Sequence, residues 1–208
     1  MDVIGLELEC DDDLARKLGQ PTSTLPIVHL GLSLLNCNRS ALHFFITACK
    51  PTLRHLDLGT TEWPASLSSE VMSPMVDIAP QLRSFASRSR TKSYFQQSTN
   101  LYLMATLRAL KDVRTIELGI NGYDLTTIFS VLEPLKHLRV LSFTDPDTSN
   151  TSAIFDKFDV DSIDHFLSQA PALELLILPH QLDVYWYEDG YDKLNQTAVG
   201  SGVEVRLA

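Results

Sequence analysis

The amino-acid sequence predicts an α/β fold built from repeated units, in which a short strand and a helix alternate along the chain. Three observations predict this fold. A short apolar motif recurs several times along the 208 residues. The segments between its copies place apolar residues at helical spacing. Prolines stand two residues ahead of several copies, where a proline ends a helix and favours an extended segment.

The motif is clearest in LRHLDLG, residues 53–59, where Leu53, Leu56 and Leu58 occupy its first, fourth and sixth positions. Successive copies begin 24 to 35 residues apart. An L-x-x-L-x-L motif at such intervals is typical of leucine-rich repeats, and the spread of the intervals makes these repeats irregular. The copies begin at Val3, Ile27, Leu53, Leu82, Val113, Leu138 and Leu173, and a partial copy contains Val205 and Leu207.

Helices are predicted between the copies of the motif, over residues 39–50, 98–111, 124–136 and 160–170. In a leucine-rich-repeat solenoid the strands form a parallel sheet on the concave face, and the helices cover the convex face. We therefore predict one such α/β domain over residues 1–208, with about seven to eight irregular repeats. Because copies of the motif lie at both ends of the sequence, we expect the solenoid to be truncated or uncapped at both ends.

Composition excludes several classes of function. The net charge of −9 argues against binding to nucleic-acid phosphates or to anionic membranes. No apolar run approaches the roughly 20 residues that a membrane-spanning helix needs, and the first residues lack the pattern of a secretion signal. The three cysteines, Cys10, Cys37 and Cys49, contain no C-x-x-C pair, which indicates reduced thiols in the cytoplasm or nucleus.

The strand positions that point away from the core predict a protein-binding surface on the concave face. In the early repeats these positions are polar or acidic, and in the late repeats they are apolar, a combination that suits a protein or peptide partner. The candidate binding residues are Glu7, His29, His55, Asp57, Glu117, Val140, Leu175 and Ile177. The alternative is that the connecting segments 144–160 or 179–199 fold back and cover the apolar positions.

Three further features have both a functional and an ordinary explanation. His29 and His55 should be neighbours, but no third or fourth ligand is evident, so no metal site is predicted. Tyr185, Trp186 and Tyr187 lie in the loop predicted over 179–199; they are either interface anchors or packing groups. Arginines occupy the second position of four copies and either clamp an acidic peptide or phosphate, or pair with nearby carboxylates: Arg54, Arg83, Arg114 and Arg139.

Catalysis finds no support in the sequence. There is no nucleophile motif of the form G-x-S-x-G, no H-E-x-x-H and no glycine-rich phosphate loop. The six histidines are scattered along the chain. We therefore expect a protein that is not an enzyme and that uses no cofactor.

Four segments carry a resemblance to a known family: KPTLRHLDLG (50–59), APQLRSFAS (79–87), LKHLRVLSF (135–143) and APALELLILP (170–179). In these segments the chain resembles the ribonuclease-inhibitor-like repeat region of fungal F-box/leucine-rich-repeat proteins. In that family the repeats hold a substrate for ubiquitination, and an N-terminal F-box module binds the ligase adaptor. No F-box-like segment precedes the first motif, so the resemblance implies at most the substrate-reading repeats of such a receptor.

The leading hypothesis is therefore a protein-recognition module whose most specific form is substrate recognition for a ubiquitin ligase. One alternative is a scaffold that assembles through exposed edge strands, which would produce self-association. Another is the ligand-reading repeats of an immune-type receptor.

Overall fold

The computed structural model describes residues 25–31, 45–59, 69–88, 96–119, 125–144, 160–179 and 188–208. These residues form an α/β structure with one open, all-parallel sheet of seven strands in sequence order. The strands are β1 His29–Gly31, β2 His55–Asp57, β3 Ser84–Ser87, β4 Thr115–Gly119, β5 Val140–Thr144, β6 Leu175–Leu178 and β7 Glu204–Leu207.

The fourth position of each described copy of the motif aligns with its counterpart on the neighbouring strand. The aligned residues are Leu30, Leu56, Phe85, Ile116, Leu141, Leu176 and Val205. Burying these side chains on one face holds the register, because a shift by one residue would turn the apolar set towards the other face. The predicted α/β class with an open parallel sheet is confirmed, and the strand order is compatible with a repeat solenoid. The copy at Val3 lies outside the described residues.

The helices alternate with the strands. They are α1 Ser69–Ile78, α2 Gln96–Ala109, α3 Leu125–Leu132, α4 Val160–Gln169 and α5 Glu188–Ser201. A 3-10 turn, Ala79–Gln81, follows α1, and residues 45–49 are also helical. The predicted helices at 98–111, 124–136 and 160–170 correspond to α2, α3 and α4, and the one at 39–50 is described only from residue 45.

The predicted loop over 179–199 is wrong for residues 188–199, because these residues belong to α5. The helix buries Leu194 and Ala198, which lie one turn apart, and most of its other described positions are polar or exposed. Such a narrow apolar stripe gives a weak helical pattern, and Gly190 and Gly200 weaken it further. Packing against the core therefore decides the conformation of this segment.

The core lies between the helices and one face of the sheet. Each helix from α1 to α5 packs against the next, so the helices form a single layer. Phe129 of α3 stacks on Phe166 of α4 with ring centroids 4.7 Å apart, and it meets Phe143 of β5 edge-on at 5.9 Å. All three rings are buried, and each contributes about 1.5–3 kcal/mol through its removal from water.

Polar contacts between successive units supplement the core. The Thr52 hydroxyl lies 2.9 Å from the carbonyl oxygen of Ile27, and the Lys50 ammonium lies 3.2 Å from the Asp77 carboxylate. Exposed ion pairs of this kind contribute little to stability, so the packing of successive units is stabilised mainly by apolar burial. None of the described helices has the length and apolar character that crossing a membrane requires.

Candidate protein-binding surface

The sheet face opposite the helices, here called the open face, carries the candidate binding residues. No helix of the described ranges covers it, since the buried residues of these helices share one core with the strand residues of the other face. Along β2 and β6 the side chains alternate between the two faces. Leu56 and Leu176 are buried in the core, whereas Asp57, Leu175 and Ile177 are half-buried on the open face. The open face is therefore the surface on which these strands meet solvent.

A cluster of three charged side chains, the charged cluster, crosses the open face from β2 to β4. Arg88, which follows β3, donates hydrogen bonds from Nε to Oε1 of Glu117 at 2.5 Å and from Nη2 to Oε2 at 2.9 Å. A third hydrogen bond runs from Nη2 of Arg88 to Oδ2 of Asp57 at 3.0 Å. The bond to Glu117, with the charges of both carboxylates, raises the pKa of the Arg88 guanidinium above its ordinary value. The cluster is thus a fixed arrangement of one cation and two anions.

The local backbone explains how Arg88 reaches both carboxylates. Its backbone N–H donates to the carbonyl oxygen of Gly59 at 3.1 Å, and Gly119, the last residue of β4, stands one position after Leu118, the register partner of Ser87. Neither glycine has a side chain to compete for the space. Gly59 has a φ of 60°, which favours glycine, and its N–H donates to Oδ1 of Asp57 at 2.7 Å. The Asp57 carboxylate is therefore held by its own turn as well as by Arg88.

The two histidines of the open face form a stacked pair. The ring centroids of His29 and His55 lie 3.9 Å apart, and the ring planes differ by 1°. Burial lowers the pKa of His55, and the charges of His29 and Arg83 lower it further. The predicted proximity of these histidines is confirmed. In the described part of the chain, no three His, Cys, Asp or Glu side chains are grouped so as to hold a metal ion.

An apolar patch lies on the open face of the next strands. Val140 of β5 is the register partner of Leu175 of β6, and Ile177 follows two residues further along β6. All three are half-buried, so each presents part of its side chain on the open face. The alternative prediction is that the segments 144–160 or 179–199 fold back and cover this patch. Most residues of these two segments lie outside the described ranges.

Two of the predicted binding residues, Asp57 and Glu117, are both paired with Arg88. Sequence reasoning missed Arg88 as a candidate, although the residue stands at an outward position of its repeat. Its signal was an arginine at a position where two neighbouring repeats have glycine. The candidates Glu7, Tyr185, Trp186 and Tyr187 lie outside the described residues.

Comparison with models of known protein families finds no match, and comparison with curated proteins finds none either.

Proposed function

We propose that this chain is a leucine-rich-repeat solenoid that recognises another protein through the open face of its sheet. The proposal rests on the order in which aromatic, charged and apolar side chains follow one another across that face. The stacked histidines lie on β1 and β2, the charged cluster spans β2 to β4, and the apolar patch lies on β5 and β6. These groups stand on consecutive parallel strands, so one extended partner surface would contact all of them.

The two larger features have different physical roles in such an interface. The apolar patch supplies affinity, because burying apolar surface stabilises a complex by about 25 cal/mol for each Å² removed from water. The charged cluster supplies orientation, since Arg88 and its two carboxylates are already held in place before a partner arrives. With two carboxylates and one guanidinium the cluster keeps a net negative charge, so it favours a partner with a basic group next to apolar side chains.

The resemblance to F-box/leucine-rich-repeat proteins supports a more specific role, in which these repeats hold a substrate for ubiquitination as part of a ligase receptor. The role requires neither a catalytic group nor a cofactor in this chain. We assign it to the cytoplasm or nucleus, where the free, buried thiol of Cys49 would stay reduced.

The test of recognition is capture of partners by the purified chain, followed by reconstitution with the purified partner. Leu175→Asp and Ile177→Asp place a charge in the apolar patch and should each weaken binding by about tenfold or more. Val199→Asp is the matched control, because Val199 lies on the helical side with 79% of its surface exposed. If all three variants bind the partner as the wild type does, the open face is not the interface.

The ligase role has a separate test, which measures how long the partner identified by capture persists in cells. Depletion of this protein from the cells should lengthen the lifetime of the partner. Re-expression of the Ile177→Asp variant should not bring the lifetime back to its original value. A lifetime that does not respond to depletion contradicts the ligase role and leaves recognition intact. Partner-free self-association of the purified chain would instead support the scaffold alternative.

A further inference from the structure

Four arginines stand side by side at the amino-terminal end of the sheet, each directly before a strand. The four, here called the arginine row, are Arg54, Arg83, Arg114 and Arg139. Their backbones are joined, since the N–H of each of the last three donates to the carbonyl oxygen of the preceding one at 2.7 to 2.8 Å. Neighbouring strands lie about 4.8 Å apart, so the row spans about 14 Å.

Three members of the arginine row, Arg54, Arg83 and Arg114, have no counterion among the described residues. Arg139 pairs with Glu174 at 3.2 Å, and Arg54 donates to the carbonyl oxygen of Leu53 at 2.7 Å. Arg83 and Arg114 are exposed and, like Arg54, form no ion pair with any described side chain. Pairing with carboxylates of the same sheet therefore neutralises only part of the positive charge of the arginine row.

A cavity of about 420 Å³ lies between the turns that lead from α2 to β4 and from α3 to β5. Two of its lining residues, Asp112 and His137, stand two positions before Arg114 and Arg139 in the sequence. Its lining includes the basic side chains of Arg108, Lys111 and Lys136 together with His137, and Asp112 is the one acidic residue among them. The apolar part of the lining comes from Leu110, Val131, Pro134 and Leu135.

Cations near the ends of helices have an ordinary explanation, because they offset the partial negative charge of a helix carboxyl terminus. That charge is about half an elementary charge for each helix, and α2 and α3 both end at this cavity. The lining cations together with Arg114 carry more positive charge than the negative charge that the two helix ends and Asp112 provide. The chain as a whole has a net charge of −9, so this concentration of positive charge is local and runs against the average.

We propose that the arginine row and the adjoining cavity bind an acidic segment of a partner protein. About four residues of extended chain span the 14 Å of the row, so a short run of Asp and Glu would set its carboxylates against Arg83 and Arg114. Guanidinium groups bind carboxylates with charge-assisted hydrogen bonds, and the cavity receives a side chain next to that run. This surface lies at the end of the sheet, apart from the charged cluster and the apolar patch, and its role does not depend on theirs.

The test uses a fluorescently labelled peptide of eight glutamates and a peptide of eight glutamines as its uncharged counterpart. Anisotropy is measured with the full chain at 0.1 M salt, where charges beyond about 10 Å are largely screened. We expect the glutamate peptide to bind at least tenfold more tightly than the glutamine peptide. Arg114→Glu and Lys136→Glu should each weaken that binding by about fivefold or more.

The control is Arg206→Glu, which makes the same change of charge at an exposed position of β7. It should leave binding within twofold of wild type, as should Ile177→Asp on the open face. Arg114→Gln and Lys136→Gln replace the reversals if those unfold the chain, as judged by circular dichroism. Equal binding of the two peptides, or an equal loss in all of the charge variants including Arg206→Glu, overturns the proposal.

Discussion

Arg88 and Glu117 form a two-pronged ion pair, in which both oxygens of the carboxylate accept hydrogen bonds from one guanidinium. Arg88 directly follows β3 and Glu117 lies on the neighbouring strand β4, 29 positions away in sequence. The same guanidinium holds Asp57 on the other side. One side chain therefore connects the segments of three successive strands, β2, β3 and β4, across a surface that the described helices leave uncovered.

Replacement of Arg88 by methionine should lower the free energy of unfolding by about 1 kcal/mol, because Asp57 and Glu117 are left facing each other without a cation. All three side chains are partly exposed, and solvent screening limits the loss. Urea denaturation measures the difference, and Arg206→Met, which breaks an exposed pair within one strand, should leave the free energy unchanged.

The contribution of Arg88 should be steady across neutral pH. The pKa of the Arg88 guanidinium is raised in the folded state. Its contribution to the free energy of unfolding is therefore complete at every pH below the ordinary arginine pKa, and it is lost only in strong alkali. The difference in unfolding free energy between wild type and Arg88→Met should therefore stay constant between about pH 6 and pH 9. A difference that shrinks as the pH rises within this range would contradict the ion-pair geometry.

His55 should titrate below its ordinary pKa of 6.5 in the folded protein, because burial and the charges of His29 and Arg83 disfavour its charged form. NMR titration of the His55 ring measures this directly. His29→Asn should raise the pKa only part of the way, since burial is the larger cause. A lowered folded-state pKa contributes stability above pH 6.5 that is lost as the pH falls below it, so His55→Asn should reduce the acid sensitivity of unfolding.

Cys49 should resist thiol reagents until the chain unfolds. The side chain is fully buried, and burial raises its pKa from 9.0 to about 11. In a Cys10→Ser, Cys37→Ser background, a disulfide reagent at pH 8 should label the native protein at least a hundredfold more slowly than the protein in urea. The raised pKa also means that stability falls as the pH rises from 9 towards 11, because the unfolded chain loses the proton first.

Leu141 and Ser142 are adjacent on β5 but point to opposite faces of the sheet, which gives a matched pair of variants. Leu141→Ala should lower the free energy of unfolding by about 2–5 kcal/mol, because it leaves a cavity in the core. Ser142→Ala, on the half-buried open face, should change it by less than about 0.5 kcal/mol. Similar losses for the two variants, measured in urea, would contradict the assigned faces.

The strands were predictable because an apolar residue recurs at the fourth position of the sequence motif, and that residue is buried in nearly every described strand. Helix α1 was missed because it contains Pro74, and helix α5 because its apolar stripe is narrow. Both helices depend on packing against the rest of the fold, and local sequence does not report that packing.

The candidate surface was predictable in part. Alternation along a strand correctly put His55, Asp57 and Ile177 on one face. The partners of each charge were not predictable, because Arg88 reaches 31 positions back to Asp57 across a register that only the folded sheet establishes. Side-chain pairing between repeats depends on that register and on the room left by glycines, and neither is visible in a single repeat.

The consecutive order of the strands also determines how the molecule responds to mechanical load. In the described sheet each strand pairs only with the strands before and after it in sequence. Tension applied to the two ends would therefore peel units away one after another, in a series of small force steps with no single rupture. A partner that lies across β2 to β6 would tie several units together, and the first step would then need a larger force.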